Sequence, residues 1–222
     1  MQIMDRNNGS ERWGVLFDLD GVLVDSEREY TRIWNRINDE FPTDVPNFAE
    51  RIKGTTLDNI LTLHYPDEQI RRRVEARLYE EEEKMVYDYC PGAHELLDDL
   101  KRNNIPMALF TSSNDLKMAH LYRDLPGIKD YFATIITGDQ VSHSKPDPEG
   151  YLEAARRLNL PAGRWIVVED SLQGVIAGER SGGSVLGVAG TIKSELLAPH
   201  CSKVGSEKLE GVDTDFLHKL LK

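Results

Sequence analysis

Cysteine is almost missing from this sequence of 222 residues. Cys90 and Cys201 are its two cysteines, and they lie far apart without the spacing of a metal site. Each is therefore interpreted as a buried or half-buried thiol rather than as a metal ligand or a disulfide partner.

Long apolar runs and an excess of positive charge are missing too. No run approaches the length of a membrane span, and the segment from Met1 to Glu11 is polar, without the apolar core of a signal peptide. The formal net charge of −11 argues against nucleic acid polymers and anionic membrane surfaces as partners. We therefore expect a cytoplasmic protein. A phosphorylated small molecule is still compatible with this charge, because lysines and a metal ion can reverse the sign within one pocket.

Two aspartates and a glycine follow the first apolar run. Val15 to Phe17 is typical of a short buried strand, because the run is apolar, bounded and too short for a helix. Asp18 and Asp20 come at its end, where ligands collect in parallel α/β sheets, and Gly21 permits a tight turn beside a bound group. Two converging carboxylates need a compensating metal ion or a shared proton. A simple turn rich in Asp and Gly would also explain the pattern.

The rest of the chain divides into a helical block and an alternation of strands and helices. Residues 28–89 have helical periodicity, with a highly charged helix over residues 67–87. Strands separated by helices are then predicted at residues 105–110, 133–136, 165–168 and 184–188. The alternation predicts an α/β fold with a Rossmann-like parallel sheet and helices on both faces. The predicted domains are a core of residues 1–27 and 90–222 and a small all-helical cap of residues 28–89, placed as a lid over the first strand's end.

Polar side chains of complementary type follow the ends of four predicted strands. Asp18, Glu169 and Asp170 are oxygen ligands suited to Mg²⁺. Lys145 and the hydroxyl of Thr111 or Ser112 are donors suited to a phosphate. Each residue alone is more often a helix cap or a solvated side chain, but caps alone do not explain their joint occurrence at one edge of a sheet.

These four segments resemble the motifs of the haloacid dehalogenase-like hydrolase superfamily, from residue 13 to about residue 190. The matching motifs, in chain order, are Asp18-Leu-Asp20-Gly21-Val22, Phe110-Thr111-Ser112-Ser113, Ser144-Lys145-Pro146-Asp147-Pro148 and Val168-Glu169-Asp170-Ser171. The helical insert between the first two motifs resembles the cap of the branch that contains β-phosphoglucomutase and many phosphatases of sugar and nucleotide phosphates.

The resemblance implies a role for each matching residue. Asp18 would be the nucleophile that forms an aspartyl-phosphate, and Asp20 would be the general acid and base. The implied Mg²⁺ ligands are Asp18, the backbone carbonyl of Asp20, Asp170 and Glu169, the last either directly or through water. The implied substrate-binding residues are Thr111, Ser112, Ser113 and Lys145, with Lys53 of the cap.

Several family activities stay open, and Mg²⁺-dependent hydrolysis of a small phosphorylated metabolite is the favoured one. Asp20 favours phosphoryl transfer over carbon–halogen cleavage, because dehalogenases of this superfamily generally lack it. Tyr30 and Leu57 stand where mutases of the β-phosphoglucomutase type carry a His and an Arg. A phosphonate hydrolase would use a cap lysine such as Lys53 as a Schiff base, which needs an apolar pocket. A non-catalytic phosphometabolite-binding protein is the remaining alternative, and we expect a monomer.

Overall fold

A parallel β-sheet lies at the centre of the protein in a computed structural model, which describes residues 12–190, 192–205 and 208–221. Its strands within this part of the chain are β1 (Gly14–Phe17), β2 (Met107–Phe110), β3 (Thr134–Ile136), β4 (Trp165–Glu169), β5 (Ser184–Gly187) and β6 (Lys203–Val204). Their order is β3-β2-β1-β4-β5-β6. The parallel sheet confirms the predicted fold class, whereas β6 was not predicted. The polar segment from Met1 to Glu11 lies outside the described residues.

Apolar side chains alternate between the two faces of the sheet. Val15 and Phe17 of β1 belong to one buried cluster and Leu16 to the other, as expected when successive side chains point to opposite faces. The first cluster takes in helices α5 (Ala93–Arg102) and α6 (Asp115–Asp124). The second takes in helices α7 (Glu149–Arg157) and α8 (Leu172–Arg180). Helices therefore cover both faces, and β1 is buried on each side.

Four helices lie between β1 and α5 in the described part of the chain and together are termed the helical segment. They are α1 (Glu27–Glu40), α2 (Phe48–Arg51), α3 (Leu57–His64) and α4 (Glu68–Glu82). Helix α4 was predicted to continue to residue 87, but it ends at Glu82 because Met85 and Tyr87 leave the helix and are buried in the core. Two short helices, α9 (Ser194–Leu197) and α10 (Thr214–His218), follow β5 and β6. None of the helices in the described part of the chain has the length and apolar character needed to span a membrane.

The connection between α2 and α3 contacts the loops at the carboxyl end of the sheet. Ser112, just after β2, donates a hydrogen bond from Oγ to the Gly54 carbonyl over 2.9 Å. Asn59 of α3 donates from Nδ2 to Ser144 Oγ over 2.5 Å. A Cβ on Gly54 would lie 2.8 Å from Ser171 Oγ, and Gly54 has a φ of +75°, so a glycine allows this close approach. The helical segment therefore covers the edge of the sheet where β1, β2 and β4 end.

Candidate functional site

A buried ion pair joins the end of β1 to the loop before α7. Lys145 Nζ lies 2.5 Å from Asp18 Oδ1 and 2.6 Å from Glu169 Oε1, and Lys145 is only 2% exposed. Burial alone would lower the pKa of Lys145, but the Asp18 and Glu169 carboxylates outweigh it and raise that pKa. Lys145 is therefore a fixed positive charge beside Asp18.

Both oxygens of Glu169 are saturated with hydrogen bonds. Besides Lys145, Oε1 accepts from the Tyr151 hydroxyl over 3.0 Å. Oε2 accepts from the backbone N–H groups of Asp170 and Ser171 and from Ser171 Oγ, at 2.9, 3.0 and 3.0 Å. The side chain is fully buried. Glu169 therefore holds Lys145 and the loop after β4 in one arrangement.

Asp20 lies in a second group of polar side chains. Its Oδ2 accepts from Lys117 Nζ over 2.6 Å and from Ser113 Oγ over 3.1 Å, and Oδ1 accepts from Ser26 Oγ. Burial would raise the pKa of Asp20, but the Lys117 ammonium and these hydrogen bonds outweigh it and hold the pKa below its usual value. Asp18 and Asp20 thus have separate cationic partners, although they are two residues apart.

The carboxylates of Asp18, Glu169 and Asp170 can hold a metal ion. Each offers a ligand oxygen, and within the described part of the chain these atoms lie within 4.8 Å of one another. Burial raises the pKa of Asp18 to about 8; Lys145 opposes the rise, and the Glu169 and Asp20 charges add to it. The site therefore fits a divalent cation, because such an ion prefers carboxylate oxygens. It would also offset the negative charge of the three carboxylates that the single Lys145 ammonium does not compensate.

The predicted phosphate-binding residues occupy different positions in the structure. Thr111 is buried, and its Oγ1 accepts from the Ser113 backbone N–H over 3.0 Å, which fixes the loop after β2. Ser112 contacts the α2–α3 connection and Ser113 contacts Asp20, and both line the cavity beside Asp18. Lys53 also lines this cavity and forms a 2.9 Å ion pair with Glu50. Thr111, Lys145 and Glu169 are not among the lining residues.

The cavity lies between the helical segment and the sheet edge and has a volume of about 120 Å³. Asp18, Asp20 and Asp170 line the side formed by the sheet. The helical segment contributes an apolar surface formed by Trp34, Ala49, Ile52, Leu57, Ile60 and Leu78, together with polar residues that include Tyr30, Thr31, Lys53 and Glu82. The geometry can therefore place a small anionic group against Asp18 and the rest of its molecule against apolar surface.

Lys117 is a member of the site that was not predicted from the sequence. It lies on α6, is 6% exposed, and its Nζ is 3.9 Å from the centroid of the Tyr30 ring. One signal was available: α6 begins five residues after β2, so its first turn lies at the same edge of the sheet as Asp18. Ser26 and Tyr151 were also not singled out, and both hold carboxylates of the site by hydrogen bonds.

Comparisons with known proteins show the family to which this chain belongs. The model of the haloacid dehalogenase-like hydrolase family matches residues 14–182. A phosphorylated carbohydrates phosphatase of Thermotoga maritima is 32% identical over 175 residues, which are 76% of this chain and 81% of that protein. A validoxylamine A 7'-phosphate phosphatase of Streptomyces hygroscopicus subsp. limoneus is 32% identical over 193 residues, 83% of this chain and 89% of that protein.

The fold is also similar to that of a solved β-phosphoglucomutase from Clostridium difficile. The TM-score is 0.78 with 24% sequence identity, over 94% of this chain and 96% of that structure. At this identity the similarity concerns the fold alone. The matched residues 14–182 run from β1, which leads into Asp18, to the end of α8, beyond Asp170. This chain therefore belongs to the haloacid dehalogenase-like hydrolase family.

Proposed function

We propose that this protein is a Mg²⁺-dependent phosphatase that hydrolyses a small phosphorylated metabolite, a sugar- or nucleotide-type phosphate monoester, through an aspartyl-phosphate. The observation that carries the proposal is the ion pair between the buried Lys145 and Asp18, which lines the cavity together with Asp20. A nucleophilic carboxylate needs a nearby fixed charge when it is approached by an anion. The names of the two curated relatives, both phosphatases, support the same activity.

Asp18 and Asp20 divide the chemistry between them in this proposal. The negative charge of the bound phosphate raises the pKa of Asp20, so that Asp20 takes up a proton from solvent. An oxygen of Asp18 then attacks phosphorus, the bond from phosphorus to the ester oxygen breaks, and Asp20 gives its proton to that oxygen as the alcohol leaves. Asp20 then takes a proton from a water molecule that attacks the aspartyl-phosphate, which releases inorganic phosphate and regenerates Asp18. Lys145 offsets the charge on Asp18 and the phosphoryl group, and Ser112, Ser113 and Lys53 contact the substrate from the cavity wall.

The proposed magnesium ligands are Asp18, Asp170 and the backbone carbonyl of Asp20. Bound Mg²⁺ would offset the charge of the carboxylates and of the phosphoryl oxygens. For Glu169, contact through water is favoured over direct ligation, because both of its oxygens already accept at least two hydrogen bonds. Thr111 acts on the phosphate indirectly, by fixing the loop that carries Ser112 and Ser113.

The helical segment is proposed to be a cap that excludes water and selects the substrate. Its contacts through Gly54 and Asn59 with the loops of the core support this role. The division into a core of residues 1–27 and 90–222 and a cap of residues 28–89 remains a proposal. A cytoplasmic location and a monomeric state likewise remain predictions from the sequence.

Two alternative activities are less well supported by the cavity. A Schiff-base lysine must lose its proton in an apolar pocket, whereas Lys53 forms an ion pair with Glu50. A mutase of the β-phosphoglucomutase type would be expected to carry a His near the position of Tyr30, and the hydroxyl of Tyr30 instead donates to Glu82. Both observations favour hydrolysis over the alternatives.

Phosphate release from a panel of sugar, nucleotide and short-chain phosphate esters, with and without Mg²⁺, tests the proposal. Metal-dependent release is expected, and Asp18→Asn should abolish it, while the matched control Asp25→Asn, at an exposed position, should retain it. Undiminished activity of Asp18→Asn would show that the nucleophile is assigned wrongly. Conversion of β-glucose 1-phosphate to glucose 6-phosphate with little phosphate freed would show a mutase, and no turnover of any ester would favour a non-catalytic binding protein.

A further inference from the structure

Glu82, the last residue of α4, is a buried carboxylate that lines the cavity beside Asp18 and Asp20. It is 3% exposed. Its Oε1 accepts a hydrogen bond from the Tyr30 hydroxyl over 2.8 Å. Its Oε2 is buried and has no hydrogen-bond partner within residues 12–190, 192–205 and 208–221. A buried polar atom without a partner destabilises the fold, and its presence therefore indicates a role other than stability.

The groups around Glu82 place it on the leaving-group side of Asp20. The Tyr30 ring lies against the Lys117 ammonium, and the Tyr30 hydroxyl is 3.3 Å from the Tyr87 hydroxyl. Lys117 in turn contacts Asp20, the proposed general acid. An alcohol that leaves with the proton of Asp20 would therefore depart into the part of the cavity that Glu82 lines.

The cavity is partly open to solvent, and its enclosed part beside Asp18 is small. The volume of this enclosed part is about 120 Å³, and an apolar cavity of about 150 Å³ accommodates a molecule of the size of benzene. A phosphoryl group takes up part of this space. What remains suits a short carbon chain against the apolar wall of Trp34, Ile52 and Leu78.

We infer that Glu82 is a specificity-determining residue that binds a hydroxyl group of the leaving alcohol, and that the substrate is the phosphate ester of a short hydroxylated alcohol. The inference rests on the proposed phosphatase function and narrows its substrate class. A hydroxyl is favoured over an ammonium group because the Lys117 ammonium lies on the ring of Tyr30, whose hydroxyl donates to Glu82, so a cation is already close to this carboxylate. A hydroxyl can also donate or accept, so that it pairs with a carboxyl in either protonation state.

The test compares three-carbon esters that differ in their polar groups, with the full chain, Mg²⁺ and phosphate release as the assay. The substrates are glycerol 3-phosphate, n-propyl phosphate and 3-aminopropyl phosphate. We expect kcat/KM to be at least about 10-fold higher for glycerol 3-phosphate than for either of the others, because a site built for a hydroxyl rejects an analogue that lacks it. Glu82→Met should reduce that preference to less than about 3-fold, whereas Glu83→Met, at the neighbouring exposed position, should retain it.

Each remaining outcome decides against the inference. Equal turnover of glycerol 3-phosphate and n-propyl phosphate by the wild-type protein would overturn it, and so would a preference for the aminopropyl ester or for hexose phosphates over all three-carbon esters. In each of these cases, hydrolysis that depends on Asp18 would leave the phosphatase proposal standing. Absence of hydrolysis of every ester would overturn both the phosphatase proposal and the inference about Glu82. If Glu82→Met does not give a cooperative thermal unfolding transition, the wild-type comparison of the three esters decides the question.

Discussion

Lys117 Nζ lies 2.6 Å from Asp20 Oδ2, so a buried lysine from helix α6 holds the carboxylate proposed as general acid and base. Ser113 donates to the same oxygen, and the Tyr30 ring covers the ammonium group from the helical segment. The orientation of Asp20 thus depends on residues from three parts of the chain.

Removal of this lysine should slow turnover. In Lys117→Met the Asp20 carboxylate loses its nearest charged partner and can rotate away from the leaving oxygen. We expect kcat to fall by roughly 10- to 100-fold, a part of what a positioned general acid and base contributes. Lys129→Met, at an exposed position, is the control. Unchanged kcat in a folded Lys117→Met protein would show that the ion pair does not serve catalysis.

Gly174 permits the close approach of α8 to the buried Glu169 carboxylate. A Cβ at this position would lie 1.8 Å from Glu169 Oε1. Gly174→Ala should therefore lower the free energy of unfolding by at least about 2 kcal/mol, as overpacking of a core does. The free energy of unfolding is measured by urea denaturation.

A second glycine provides the matched control for Gly174→Ala. Gly127 has right-handed backbone angles, with φ of −84° and ψ of −11°, and a Cβ there meets no atom within 4 Å. Gly127→Ala should change the free energy of unfolding by less than about 1 kcal/mol. Equal losses in the two variants would mean that the contact with Glu169 is not the cause.

A divalent cation should stabilise the protein even when no substrate is present. At a Mg²⁺ concentration of about 100 times its Kd, binding to the folded state alone adds about 2.7 kcal/mol, which raises Tm by roughly 5–10 °C for a chain of this size. Asp170→Asn should remove most of this shift, and Asp215→Asn, exposed on α10, should retain it. A thermal shift that is the same with and without the Asp170 carboxylate would contradict its role as a ligand.

Glu82 should make stability depend on pH in a predictable direction. Burial raises the pKa of Glu82 above its usual value of 4.5, and Lys117 and the Tyr30 hydroxyl oppose the rise. The folded state therefore binds this proton more tightly than the unfolded state, and the contribution of Glu82 to stability is lost as the pH rises through its folded-state pKa. Relative to the wild type, Glu82→Gln should gain free energy of unfolding between pH 4.5 and neutral pH.

Urea denaturation of both proteins across this pH range provides the measurement. Glu83→Gln, at the neighbouring exposed position, serves as the control. A difference between Glu82→Gln and the wild type that is independent of pH would show that Glu82 does not titrate in this range.

The strands β1 to β5 and the site residues that follow them could be predicted from the sequence, because they depend on short-range periodicity and on motifs at strand ends. Asp18 and Lys145 are 127 residues apart, yet their positions after β1 and β3 were enough to bring them together, because the carboxyl ends of parallel strands meet at one edge. The strands β1, β2 and β4 were predicted because each is a short, bounded apolar run. Each of these features is visible within a few residues of sequence.

Features that depend on distant partners were not predictable in this way. Strand β6 has only two residues, Lys203 and Val204, and neither is fully buried, so that no apolar run marks it. The charge pattern of α4 continues past Glu82, where packing of Met85 and Tyr87 ends the helix. A lysine on a helix is usually exposed, and the burial of Lys117 becomes clear only once Asp20 lies beside it.

The α2–α3 connection and the first turn of α3 contact the core, at Gly54 and Asn59, through hydrogen bonds between uncharged groups. A hydrogen bond of this type contributes only about 1 kcal/mol, because water can replace it. Separation of these groups requires no parting of opposite charges, and salt screens only charged pairs effectively. The rate at which this contact opens to admit a substrate or release phosphate should therefore be nearly insensitive to ionic strength.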